Sequence, residues 1–218
     1  MPRTTLSLSS KNYSSWSLRG FLLTRLSGLK FEAQVVSPDD PSYRAELLLQ
    51  SSSIRIPALV HDGVTLWDVL AIAEYLNEAF PKAAMLPHDR FARAFCRSIS
   101  GEMHAGFHAL RGALPMNLRL YRPGFAVWSA VQADINRITE IWRECLDMWG
   151  GPWLFGRQPS VGDAMYAPVA TRFRSYDVTV DADSEAYCTH VMRWAPMREW
   201  IEAALQEPEQ IEELEVEF

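Results

Sequence analysis

Three hydroxyl side chains in succession, Tyr13, Ser14 and Ser15, stand where a helix should begin. Behind them Trp16, Leu18, Phe21, Leu22 and Leu26 recur at close to helical spacing, and Gly28 marks a stop. A hydroxyl at a helix start can cap free backbone amides or, helped by the dipole, steady an anion. Asp68 and Val69 form a second such start, ahead of Leu70, Ile72, Ala73 and Leu76. Free amides there suit a carboxylate ligand, and Asp68 can also serve as a plain N-cap; the two roles are compatible. Pro57 falls inside an apolar run, where a proline forfeits a ladder hydrogen bond and is expected only at an edge, a bulge or a cis turn. His104, His108 and Arg111 are spaced i, i+4 and i+7, hence on one face of a predicted helix. Two histidines four apart can chelate a metal, but no HExxH glutamate and no third ligand accompany them, so no metal is expected. The stripe reads first as a polar contact between domains or subunits. Cys96, Cys145 and Cys188 show neither a CxxC pair nor zinc-like spacing, which suits a reduced cytoplasmic protein.

The elements that would carry these residues change character along the chain. Thr5 to Ser9 and Phe31 to Val36 read as strands on either side of the helix that follows Ser14 and Ser15 and stops at Gly28, and Tyr43 to Leu49 as a short helix. Ile54 to Val60 is a strand broken by Pro57, Asp62-Gly63 is a favoured two-residue hairpin turn, and Thr65 to Trp67 returns antiparallel. Asp68 then opens a helix that ends before Pro81. The order βαβ, α, ββα predicts a mixed α/β domain over 1–80. Residues 81–89, with two prolines and no periodicity, read as a linker. Beyond them helices are predicted over 90–120, 126–149, 161–175, 184–194 and 196–206, an all-helical domain over 90–218. Ser160-Val161-Gly162-Asp163 fits a capping box. Pro115 should end or kink the first long helix, with Met116 and Asn117 in the core or near a pocket. The tryptophans of the second half read as core; Trp16, beside Ser15, is the exception.

Composition excludes several classes. With 48% hydrophobic and 22% charged residues the chain is globular rather than disordered or fibrous. Six acids, Glu207, Glu209, Glu212, Glu213, Glu215 and Glu217, stand in a terminal run without a base, expected to be a solvated tail. The rest is formally neutral and offers no basic footprint for nucleic acid. The N-terminal stretch is too polar for a secretory signal and no apolar run approaches membrane-spanning length, so a soluble protein is expected.

The run Ile56-Pro57-Ala58-Leu59, then Asp62-Gly63, then Leu66-Trp67-Asp68-Val69-Leu70-Ala71-Ile72-Ala73-Glu74-Tyr75-Leu76 resembles the signature of the cytosolic glutathione S-transferases, and Ser160 to Asp163 matches the capping box of that family's helical domain. The resemblance implies a thioredoxin-like first domain that binds glutathione as co-substrate, a helical second domain that holds an electrophilic small molecule, and a homodimer with a role in detoxification. It implies that Pro57 is cis, that the backbone of Ile56 pairs with the cysteinyl part of glutathione, and that Asp68 and Val69 hold its γ-glutamyl group. The family's second position there is serine; Val69 leaves only a backbone amide. The thiolate would be held by Ser15, four residues before Arg19, or by Ser14 if Ser14-Ser15-Trp16 is aligned with the S-S-C pattern of the zeta class, or by Tyr13. Trp16, Met103, His104, Phe107 and Arg111 would line the electrophile pocket. A zeta-like isomerase or dehalogenase, and a non-catalytic binding module, are the alternatives.

Overall fold

The computed structural model describes residues 4–36 and 53–208. Four strands, β1 (Thr5–Leu8), β2 (Glu32–Val35), β3 (Ala58–His61) and β4 (Val64–Trp67), form one sheet in the order β2-β1-β3-β4. Helix α1 (Ser15–Leu26) is the crossover that makes β1 and β2 parallel, with Thr5 opposite Glu32. β3 runs antiparallel to both neighbours, and Leu6 pairs with Leu59. Asp62 and Gly63 join β3 to β4 with φ of 49° and 79°, the double left-handed conformation that a two-residue hairpin needs. β3 begins only at Ala58, because Pro57 cannot donate to the ladder and the Ile56–Pro57 peptide is cis; Ile54 to Pro57 are therefore loop, not strand. Helix α2 (Val69–Ala79) follows β4, and the predicted helix over 43–49 lies outside the described residues.

The linker is not slack. After a 3-10 turn at Pro81–Ala83, Met85 and Leu86 are buried and the Met85 carbonyl accepts the Val161 amide at 2.8 Å. The helical half comprises α3 (Arg90–Ala105), α4 (His108–Ala113), α5 (Ser129–Trp149), α6 (Val161–Ser175), α7 (Ala182–Arg193) and α8 (Ala195–Leu205). The single helix expected over 90–120 is thus two, broken at Gly106 and Phe107 well before Pro115. Phe107 takes φ 59°, and a Cβ at Gly106 would lie 2.8 Å from the Glu102 carbonyl oxygen. His104 and His108 consequently do not share a helical face, and His108 is exposed.

Helix α6 is the axis of the molecule. Every residue of it except Arg174 is buried, and its start is the predicted capping box. Asp163, fully buried, accepts the Ser160 amide and hydroxyl at 2.8 Å each, the Leu154 amide at 3.0 Å and the Tyr187 hydroxyl at 3.0 Å. Burial raises its pKa and those four donors oppose the rise. Trp142 and Trp200 are core, as expected of the tryptophans, whereas Trp128 is 55% exposed. The three cysteines are unpaired and buried; burial pushes the Cys96 thiol up to about 12 and raises the other two, so none is a ready thiolate.

The α/β half touches α6 through α1, whose buried Arg19 donates from Nε to the Met165 carbonyl at 2.8 Å. On its other side α1 lies directly on Pro57, because a Cβ at Gly20 would come within 2.7 Å of both Cβ and Cγ of the proline ring. Gly20→Ala therefore gains about 1 kcal/mol of helix propensity and loses more to overpacking, typically about 1–3 kcal/mol. Urea unfolding should show a net destabilised variant; a stabilised one would mean that α1 can retreat from Pro57 at no cost.

Candidate functional site

The cavity of interest opens where the start of α1, the loop before β3, the start of α2 and the end of α3 converge. It has a volume of about 310 Å³ and is lined by Trp16, Arg55, Ile56, Pro57, Asp68, Val69 and His104. Six of these seven were expected from the sequence; Arg55 was not, although it directly precedes Ile56.

Helix α1 starts here because Ser14 caps it. Its Oγ accepts the Ser17 amide at 3.2 Å and donates to the Ser17 hydroxyl at 3.0 Å, so its one donor hydrogen is engaged. Ser15 is the first helical residue, and among the described residues its hydroxyl has no hydrogen-bond partner. Neither serine lines the cavity itself; Ser15 adjoins Trp16, which does. Tyr13 points elsewhere: it is buried, and its hydroxyl accepts from Arg119 at 3.1 Å.

The loop leading into α1 is clamped from the far end of the chain. Glu207 accepts the Ser10 hydroxyl at 2.6 Å and the amides of Lys11 and Asn12 at 2.9 Å each. Glu207 is thus a structural acid, not part of a solvated tail; the other acids of that run lie outside the described residues. Asn12 is buried, donates to Asn117 Oδ1 at 3.0 Å and accepts the Leu118 amide at 2.9 Å. This is where Asn117 goes, with Met116 in the core: neither reaches the cavity.

Asp68 caps α2 by accepting the Leu70 amide on Oδ1 at 2.9 Å. Its φ of 73° is a conformation that side-chain-bearing residues rarely adopt, held at a cost of about 1–3 kcal/mol and typical of functional sites. Its second oxygen, Oδ2, lies 2.6 Å from Nε2 of His104 at the end of α3. His104 packs edge-on against Trp16, with ring centroids 5.2 Å apart. Trp16 is also the platform for two guanidinium groups, Arg19 and Arg111, each 4.8 Å from its ring centroid.

Arg111 donates to the backbone carbonyl and the sulfur of Met103, so it sits behind Trp16 and does not line the cavity; Met103 and Phe107 are buried core. Arg172 on α6 belongs to the same group: burial and the neighbouring Arg111 lower its pKa to about 10, and burial with Arg111 and Arg172 holds Arg19 well below its usual value. Arg172, at about 10, remains a cation near neutrality. Among the described residues no group of three or more potential metal ligands occurs.

Two family models match the chain, the N-terminal domain of glutathione S-transferase over residues 13–79 and its C-terminal domain over residues 124–203. A probable glutathione S-transferase from Nicotiana plumbaginifolia is 26% identical over 83% of this chain and 79% of its own. A maleylacetoacetate isomerase from Rattus norvegicus is 26% identical over 75% of each chain. Among solved structures, a glutathione transferase homologue from Burkholderia (BGR1) with bound glutathione superposes at a TM-score of 0.70 with 23% identity, covering 95% of this chain and all of its own. The two matched domains account for both halves of the fold, and the chain belongs to the glutathione S-transferase family.

Proposed function

We propose that the chain is a serine-type glutathione transferase, in which the cavity holds glutathione as co-substrate and Ser15 steadies its thiolate for attack on an electrophilic small molecule. The observation that carries the choice of residue is the difference between the two serines. Ser14 spends its hydroxyl on the helix cap, whereas Ser15 keeps a free donor at the first position of α1. A free thiol ionises near ~8.5, so a neutral-pH nucleophile needs such help. A hydroxyl donor and a helix N-terminus both favour the anion over the thiol.

The remaining contacts follow from the cavity wall. The Ile56 main chain offers N–H and C=O in extended fashion to the cysteinyl unit. Asp68 faces the γ-glutamyl ammonium, and the free Val69 amide at the start of α2 faces its carboxylate. Glutathione-dependent isomerisation is the second reading, favoured by the likeness to maleylacetoacetate isomerases. Rates with aryl halides against unsaturated diacids separate the two, and glutathione binding without turnover of either would favour a non-catalytic module. Unpaired buried cysteines and the lack, among the described residues, of a helix long and apolar enough to cross a membrane suit the cytoplasm as location.

A homodimer is proposed as the working form. β4 is an edge strand with Val64 44% exposed, and Phe91 at the start of α3 is 73% exposed. Light scattering should then give about 50 kDa, twice the 24.8 kDa chain. A monomer mass at micromolar concentration would sink this.

Ser15→Ala should lower turnover about ten- to a hundredfold while moving glutathione affinity little, because the lost hydrogen bond, roughly 1.5–3 kcal/mol, goes to the thiolate. Ser14→Ala should instead cost stability of about 1 kcal/mol through the cap. Steady-state kinetics with thermal melts on both variants check this, and the reverse pattern would assign the thiolate to Ser14.

Val69 replaces a hydroxyl donor with an isopropyl group. One missing hydrogen bond to a charged group is worth up to about 3 kcal/mol, part of which an ordered water can recover. Val69→Ser should tighten glutathione several-fold in titration calorimetry; unchanged or weaker binding would place the carboxylate elsewhere.

A further inference from the structure

Ser15 can steady a thiolate but cannot take the proton that the thiol gives up, since a neutral hydroxyl hydrogen-bonded to sulfur acts as donor. The cavity wall holds a group that can. His104 Nε2 lies 2.6 Å from Asp68 Oδ2, and Asp68 Oδ1 is already engaged by the Leu70 amide. An ionised carboxylate only accepts, so Nε2 carries the hydrogen and the lone pair of the neutral imidazole sits on Nδ1. Among the described residues Nδ1 has no hydrogen-bond partner. The His104 side chain is 32% exposed and forms part of the same wall as Trp16, Ile56 and Val69. The strained Asp68 backbone, at φ 73°, turns one carboxylate both to the Leu70 amide of α2 and to a histidine from the other half of the molecule.

We propose that Asp68 and His104 act as one unit, with His104 Nδ1 taking the thiol proton of glutathione and Asp68 stabilising the imidazolium that forms. The proposal rests on the reading of the cavity as the glutathione site and adds to it a base and a preferred substrate chemistry. The S–H bond breaks, its electron pair stays on sulfur, and an N–H bond forms at Nδ1. The thiolate then attacks the β carbon of an alkene conjugated to a carbonyl: a C–S bond forms and the π pair moves toward the α carbon. The imidazolium returns its proton to that carbon, a C–H bond forms, and the enzyme is back in its starting state. Nothing but thiol and alkene is consumed. In displacement of a halide the proton has no acceptor in the product and is shed to water, so the second half of the cycle is idle. The pair therefore favours conjugate addition.

The charges around His104 act in both directions. Arg19 from α1 and Arg111 from α4 lie over Trp16, the ring against which His104 packs, and Arg55 lines the cavity from the loop before β3. Glu102, on the same helix, is held by Arg137 of α5 at 2.8 Å. The three arginines favour a thiolate and oppose an imidazolium, and Asp68 is the carboxylate in contact that offsets them.

The test uses the full chain with glutathione and two electrophiles, benzylideneacetone for addition and chlorodinitrobenzene for displacement. In His104→Gln the amide can still donate to Asp68 but cannot accept a proton. Turnover of benzylideneacetone should fall about a hundredfold, with glutathione affinity by calorimetry changed less than about threefold. The pH–rate profile should lose its histidine limb and climb with hydroxide instead. The loss with chlorodinitrobenzene should be smaller. Asp68→Asn, checked by thermal melt, should lower addition similarly but also weaken glutathione binding. His104→Asn is the second variant should the glutamine protein fold poorly. A His104→Gln enzyme with the wild-type rate and pH profile overturns the proposal alone, and equal losses on both electrophiles overturn the addition preference. Wild-type protein that binds no glutathione overturns the reading of the cavity, and the proposal with it.

Discussion

The close approach of Gly20 to Pro57 is the contact from which the site is set out. A proline ring lies where a side chain on α1 would otherwise stand, 2.7 Å from the missing Cβ. That contact holds α1 against the loop before β3, and Trp16 of its first turn lines one cavity with Ile56. β3 starts immediately after Pro57, turns at Asp62-Gly63, and returns as β4 to deliver Asp68 to the same edge. Two helix N-termini and one extended segment thereby meet around a single cavity. Each supplies backbone groups that helix or sheet geometry leaves unpaired.

The helical half completes this arrangement instead of merely covering it. The segment after α4 is tied to α6, with the Leu114 carbonyl accepting from Arg172 and the Asn117 carbonyl from Ser175, each at 2.8 Å. Asn117 in turn binds Asn12, and Glu207 holds the adjoining amides. The loop that launches α1 is therefore positioned by residues some hundred and two hundred places away in the chain. His104 makes the reverse connection, from α3 to the cap of α2. Neither half has a finished site without the other.

What could be read in the sequence was what local chemistry decides. The 161–175 helix and its capping box, the Asp62-Gly63 turn, the cap at Asp68 and the proline before β3 all announce themselves through local backbone constraints. The break at Gly106 and Phe107 was hidden because the apolar pattern runs through it: Met103, Phe107 and Leu110 are all buried at helical intervals. Glu207 looked like part of an acidic tail because a charge run carries no sign that one member turns back. Ser14 and Ser15 could not be separated either, since the choice depends on which hydroxyl Ser17 engages. The link from His104 to Asp68 joins two halves of the fold, and no spacing encodes it.

Trp16 shows how such long-range terms set the chemistry. Its ring carries Arg19 and Arg111, with Arg172 behind, and among the described residues none of the three has a carboxylate within ion-pair reach. Each instead donates to backbone carbonyls, Met165 for Arg19, Met103 for Arg111, and Leu114 and Pro168 for Arg172. Dipoles satisfy the hydrogen bonds of a guanidinium without cancelling its charge, and the more distant Asp134 raises only Arg111. Burial lowers all three pKa values, and repulsion from neighbouring arginines adds to it for Arg19 and Arg172, yet Arg172, at about 10, is still charged at neutral pH. A positive potential therefore persists behind the aromatic wall. Such a field favours whatever anion forms in the adjoining cavity, and the anion proposed to form there is a thiolate.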